Sequence, residues 1–167
     1  WGVGTQLVTG GNDSSLTGVY KLVAKERNGV MQPTIKVSNN PEKTTNPGIK
    51  QVHRFSDRNG SPLGDLIALE EEPITTDRPY VFYHPMFEYK HFTLSEYASA
   101  TPLLGRKMAK GRICCDLPSL REIQEKGKSN LAKLDYTFRR IVNPHIYKVS
   151  LSEKLKTLKF RMIDELT

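Results

Sequence analysis

The chain has 167 residues, enough for one domain, or a domain with an appendage, and for a buried core. Its 37% hydrophobic residues and mean hydropathy of −0.50 point to long loops, or to a core shared with something outside the chain, and no apolar run approaches the ~20 residues of a membrane span. The net charge of +7 suggests anionic partners, but the basic residues are scattered; the densest run, Arg139–Arg140 to Arg161, interleaves with Leu, Ile and Phe and reads as a solvated helix face rather than a nucleic-acid surface.

Three regions follow one another. Residues 1–17 are rich in Gly, Ser and Thr, with one short apolar stretch at Gln6–Val8 that reads as a brief strand or helical turn. Residues 18–112 carry a strand pattern. Val19–Ala24 alternates in part, Thr34–Ser38 and Gln51–Phe55 alternate cleanly, Asp65–Leu69 is a short apolar run, and Tyr80–Tyr83 adds a further strand. Turn formers separate them, and Asn28-Gly29 and Asn59-Gly60 suit hairpins. Together these predict an antiparallel β meander.

Residues 113–167 read as helical. Asp116 is a candidate cap for a helix entered through Pro118, with Leu120, Ile123, Leu131 and Leu134 at helical spacing and Gly127 weakening the middle. Asp135 is a candidate cap for a second helix, which Asn143-Pro144 would stop. Ser150 or Ser152 caps the last helix, whose stripe is Leu151, Leu155, Leu158, Met162 and Leu166. The predicted fold class is α+β, a β meander followed by C-terminal helices.

Chemistry is sparse. Gly2-Val3-Gly4-Thr5 offers a backbone that a phosphate can approach closely and a hydroxyl that can donate to it, but there is no Walker lysine and no visible preceding strand. Glu70-Glu71-Glu72 reads as a solvated strand end, and His53, His84 and His145 as surface or hydrogen-bonded histidines. His84 and His91 have no cysteine nearby, so no metal site is expected. The two cysteines, Cys114 and Cys115, are adjacent. They exclude a disulfide framework, fit a reducing cytoplasm, and read as small buried hydrophobes.

Several stretches taken together say more. "GVGTQLVTG" is followed by "LTGVYKLV", then by "IKVSNNPEKTTNPGIKQVHRF", and later by "DLPSLREIQ" and "NPHIYKVSLSEKL". In this order and spacing they resemble the C-terminal part of nicotinate phosphoribosyltransferase. The family pattern Ser-x-Asn-Pro-x-Lys-x-Thr-x-Pro-Gly-x-Lys runs here from Ser38 to Lys50, while Pro73 to Lys110 matches poorly.

The resemblance implies an enzyme that joins nicotinate to 5-phosphoribosyl 1-diphosphate, giving nicotinate mononucleotide and diphosphate in NAD salvage. It implies coupling to ATP hydrolysis through a phosphorylated histidine, with Mg²⁺, in a cytoplasmic homodimer, on an irregular α/β barrel with an additional domain. The 5-phosphate would be held by Gly4 and Thr5, with Gly2, Gly10 and Gly11 lining the same pocket. The phosphorylated histidine and the residues that read the base lie upstream in the family, and none of the four histidines here matches it. The expectation is therefore a C-terminal fragment: residues 1–17 are a barrel remnant, no catalytic residue is present, no cofactor is bound, and the fragment alone is inactive. The alternative is a free-standing basic module that contacts nucleic acid or an acidic partner.

Overall fold

The computed structural model describes residues 4–11 and 18–166. In chain order the elements are α1 (Thr5–Thr9), β1 (Ala24–Arg27), β2 (Val30–Pro33), β3 (Lys50–Ser56), β4 (Pro62–Leu69), β5 (Tyr80–Tyr83), β6 (His91–Leu94), β7 (Ser99–Pro102), β8 (Met108–Ala109), β9 (Arg112–Ile113), α2 (Leu120–Lys133), α3 (Tyr136–Arg139), β10 (Val149–Leu151) and α4 (Glu153–Asp164).

Asn28-Gly29 sets the first hairpin. Both residues take positive φ, 53° and 77°, a two-residue turn whose twist matches that of paired strands. The ladder must therefore begin beside it, and Arg27 pairs with Val30. This moves both strands away from the places their alternation suggested. Val19–Val23 is extended but outside the ladder, with Tyr20 and Val19 exposed. Residues 34–38 are tied instead to residues 44–45 by hydroxyl and backbone bonds.

The main sheet has six strands in the order β6-β5-β10-β4-β3-β7. β3 and β4 form the expected hairpin, its loop held by Asp57, whose Oδ1 accepts the amides of Asn59 and Ser61 at 2.9 and 2.8 Å. To the strands read from the sequence the structure adds β6 and β7 and, from the C-terminal region, β10. β10 inserts between β4 and β5, parallel to the first and antiparallel to the second. The third region is thus not purely helical, because a three-residue strand is too short to show a period.

The core lies on one face of this sheet. Phe55 stacks edge-on against Tyr80, Phe82 and Tyr97 at centroid distances of 5.3, 5.2 and 4.8 Å, with Leu66 beside them. Leu151 and Leu155 are also fully buried. On α4 the predicted stripe holds at Leu155, half-buried Leu158 and half-buried Met162, but Leu166 is exposed.

Helix ends follow local chemistry, not always at the expected residue. Ser119, not Asp116, caps α2, in a reciprocal capping box with Glu122. Asp135 caps α3 as expected, accepting the Thr137 amide at 2.8 Å, but α3 ends at Arg139, ahead of Asn143-Pro144. Ser152 caps α4, while Ser150 lies inside β10. α2 runs through Gly127 without a break and buries none of its residues. Cys114 is exposed and Cys115 half-buried, contrary to the buried hydrophobes expected. They follow the peripheral β8–β9 hairpin, which the main sheet does not cover.

Candidate phosphate-binding site

The Gly-Thr stretch at the start of the described chain folds as a single helical turn. Gly4 stands at its N-cap with extended backbone, and its carbonyl accepts the amides of Leu7 and Val8 at 3.0 and 3.3 Å. The Thr9 hydroxyl donates back to the Thr5 carbonyl at 2.8 Å, and Gly10 closes the turn in the left-handed region. Gly4, Thr5 and Gly10 are exposed, and a Cβ added at Gly4 or Gly11 would meet nothing within 4 Å. Gly2 lies outside the described residues.

The Ser38–Lys50 motif is more tightly built, and it divides into two sets of residues. One set makes the scaffold. The Thr45 hydroxyl accepts the Lys36 amide at 2.9 Å, and the Thr45 amide donates to the Lys36 carbonyl at 3.1 Å. The Thr44 hydroxyl accepts the Ser38 amide at 3.3 Å. Pro47 is fully buried, and Gly48 donates its amide to the Val23 carbonyl at 2.8 Å. Gly48 has φ +81°, and a Cβ there would sit 2.9 Å from Leu69 Cδ2, so both the backbone and the space require glycine. Lys50 folds back and donates its ammonium to the carbonyls of Asn46, at 2.8 Å, Pro47, at 3.4 Å, and Gly48. Burial pushes its pKa down, and three carbonyl oxygens receive the charge. The last lysine of the motif is therefore a clamp on the turn.

The other set faces a cleft of about 580 Å³. Lys36, two residues ahead of the motif, and Ser38 and Lys43 within it line the cleft, with Tyr20 and Lys21 from the segment that precedes β1. Among the described residues no Asp or Glu lines it, and none of the three lysines pairs with a carboxylate. Three ammonium groups and a serine hydroxyl around one cleft are suited to a polyanion, because a phosphate offers several acceptor oxygens and at least one full charge. The sequence contained this site only as part of a matched motif. Nothing in the spacing separated Lys36 and Lys43, which line the cleft, from Lys50, which does not.

One ion pair joins two strands of the sheet, and the hydrogen bonds of Glu72 tie it to neighbouring segments. Arg54 grips Asp65 in a bidentate pair at 2.9 and 2.8 Å, and the Tyr147 hydroxyl donates to the same Asp65 Oδ1 at 2.9 Å. The carboxylate holds the Arg54 pKa above its ordinary value, while burial, then the neighbouring carboxylate, raise that of Tyr147. Glu72 is not a solvated strand end. Its Oε1 accepts the Leu69 amide at 2.7 Å and the Ser152 hydroxyl at 2.6 Å. His84 is hydrogen-bonded as expected, its Nδ1 accepting the amides of Met86 and Phe87. Among the described residues no group of three or more His, Cys, Asp or Glu could hold a metal ion, and no helix is long and apolar enough to cross a membrane.

A nicotinate phosphoribosyltransferase of Bacillus subtilis (strain 168) is 38% identical over 167 residues, which is 99% of this chain and 34% of the relative. The human nicotinate phosphoribosyltransferase is 38% identical over 157 residues, 94% of this chain and 28% of the relative. The crystal structure of human nicotinic acid phosphoribosyltransferase superposes with a TM-score of 0.70 at 32% identity, over 89% of this chain and 27% of that one. The chain thus spans about a third or less of the length of these relatives. The family model described as the nicotinate phosphoribosyltransferase C-terminal domain matches residues 49–159, from the end of the Ser38–Lys50 motif through β10 into α4. The chain belongs to the nicotinate phosphoribosyltransferase C-terminal domain family.

Proposed function

We propose that this chain is the C-terminal part of an enzyme that joins nicotinate to 5-phosphoribosyl 1-diphosphate, releasing diphosphate, and that its contribution is to hold phosphate. The observation that carries this reading is the cleft walled by Lys21, Lys36 and Lys43, with no carboxylate lining it among the described residues. The family supplies the reaction in which such a cleft has a use.

The chemistry follows from charge. When the ribose–diphosphate bond breaks, the ring passes through an oxocarbenium-like state and negative charge builds on the departing diphosphate. Fixed ammonium groups stabilise that charge more than they stabilise the bound substrate, which lowers the barrier. They also fix the phosphates so that C1 faces the attacking nitrogen. Gly4 and Thr5, with Gly2, Gly10 and Gly11, are proposed to meet the 5-phosphate through backbone amides and the Thr5 hydroxyl.

ATP coupling, Mg²⁺, a homodimeric assembly, ligase-type energetics, a place in NAD salvage and a cytoplasmic location belong to the same proposal and rest on the family. The acidic and histidine side chains described here do not form a metal site, so no step of this chain's residues is routed through the metal. The histidine that is phosphorylated and the groups that read the base are assigned to the remainder of the enzyme, and this chain by itself is proposed to be inactive.

The test is made in the whole enzyme. Lys36→Ala and Lys43→Ala should each raise the KM for phosphoribosyl diphosphate or for ATP about tenfold or more, the loss of one charged hydrogen bond. Thr5→Ala should weaken phosphoribosyl diphosphate binding by about 1.5–3 kcal/mol for the same reason. Unchanged constants in folded Lys36 and Lys43 variants would remove the cleft from the site, and an unchanged Thr5 variant would remove the Gly-Thr turn.

A further inference from the structure

A second basic cleft, of about 730 Å³, opens on the sheet across β5, β6 and β10, and no residue of the candidate site lines it. Its walls come from the turn that joins β5 to β6 and from the segment that leads into β10. The first wall falls in the stretch, Pro73 to Lys110, that matched the family motifs poorly.

Its surface has two kinds of group side by side. Phe92 and Tyr89 are aromatic, and Tyr89 is exposed, as is Ile146 on the facing wall. Lys148 stands with its Nζ 4.1 Å from the Phe92 ring centroid. Lys90 lies 4.7 Å from that of Phe87 and 5.9 Å from that of Tyr89. Among the described residues no Asp or Glu lines the cleft, and neither lysine has a carboxylate within ion-pair distance. His84 also lines it. Because its Nδ1 accepts two backbone amides, the proton of the neutral ring is on Nε2, which is left to donate.

We propose that this cleft binds a nucleoside monophosphate, with the base against the exposed Tyr89 ring and the phosphate held by Lys90, Lys148 and the His84 Nε2–H. The aromatic surface asks for a planar ring, and the unneutralised lysines ask for an anion. A nucleotide carries both on one small frame. The size is within the range of small-molecule pockets, roughly 300–1,000 Å³, and exceeds what inorganic phosphate would fill. A long acidic peptide or an RNA strand would need the cations to continue beyond the cleft along a track, whereas here they converge on its two walls. This inference rests on none of the lysines of the candidate site, so either can fail alone.

The test is an NMR titration of the whole enzyme, read at isotope-labelled side chains, with AMP, adenosine and inorganic phosphate, with an RNA oligonucleotide as a fourth arm. AMP should shift the resonances of Tyr89, Phe92 and His84, with adenosine and phosphate each binding at least about tenfold more weakly. Lys90→Ala and Lys148→Ala should each weaken AMP about tenfold, and Lys148→Gln, checked by thermal melting for an intact fold, should do the same. No shift at these residues at millimolar AMP overturns the proposal. So do shifts confined to Lys21, Lys36 and Lys43, phosphate binding as tight as AMP, or an RNA affinity that rises with length and exceeds that of AMP.

Discussion

The Ser152 hydroxyl donates to Glu72 Oε1 at 2.6 Å while its oxygen accepts the Leu155 amide at 3.2 Å. One buried hydroxyl thus caps α4 and ties it to the end of β4, eighty residues earlier in the chain. Ser152→Ala should lower the unfolding free energy by about 1–2 kcal/mol, the usual loss for an N-cap, and leave Glu72 without one of its donors. Glu72→Gln should lose less, because an amide oxygen still accepts. Equilibrium urea unfolding of the three proteins decides it, and an unchanged midpoint for Ser152→Ala would refute the cap's contribution.

Arg54 and Asp65 form the shortest ion pair among the described residues, and Asp65 is buried. Arg54→Leu leaves that carboxylate with the Tyr147 hydroxyl as its partner among the described residues, so the variant should be destabilised by about 3 kcal/mol or more. Tyr147→Phe removes one hydrogen bond and should lose about 1 kcal/mol. The double variant should fall short of the sum if the three groups act as one network. A double-mutant cycle by chemical denaturation measures the shortfall, and simple additivity would show that they do not.

Two glycines should respond in opposite directions. Gly127 lies inside α2, where an added Cβ meets nothing within 4 Å, so Gly127→Ala should stabilise by about 0.5–1 kcal/mol. Gly48→Ala places a Cβ 2.9 Å from Leu69 Cδ2 on a backbone at φ +81°, and should destabilise by at least about 1–2 kcal/mol. Thermal melts of both suffice. A destabilised Gly127→Ala would mean that α2 is not a helix at that point.

His53 on β3 has its pKa lowered from 6.5 by burial, with Glu72 pulling partly the other way. A lowered histidine pKa means that the unfolded chain binds a proton more readily than the folded one. Stability should therefore be lower when His53 is charged, rise with pH from its folded pKa up to 6.5, and level off above. Unfolding curves measured across that window should show the rise, and His53→Gln should flatten it. An equal slope in the variant would assign the effect to another group.

The parts of this protein that the sequence by itself determined are local. Asn28-Gly29 dictates a hairpin because two successive residues must take positive φ. Asp135 caps α3 through an amide two residues on, and Tyr80–Tyr83 is a strand as its composition says. The ordered motifs around Ser38–Lys50 carried the resemblance to the family to which the chain belongs. Tertiary structure decided the rest. β10 is three residues long, and its place between β4 and β5 depends on pairing with strands far away in sequence. Lys43 and Lys50 are the same residue type in the same motif. One lines a lysine-walled cleft and the other clamps three carbonyls, because the turn at Pro47-Gly48 folds the second inward and leaves the first beside Lys21 and Lys36. Charge can be counted along a chain, but whether a charge is free to meet a ligand depends on what the fold has already placed beside it.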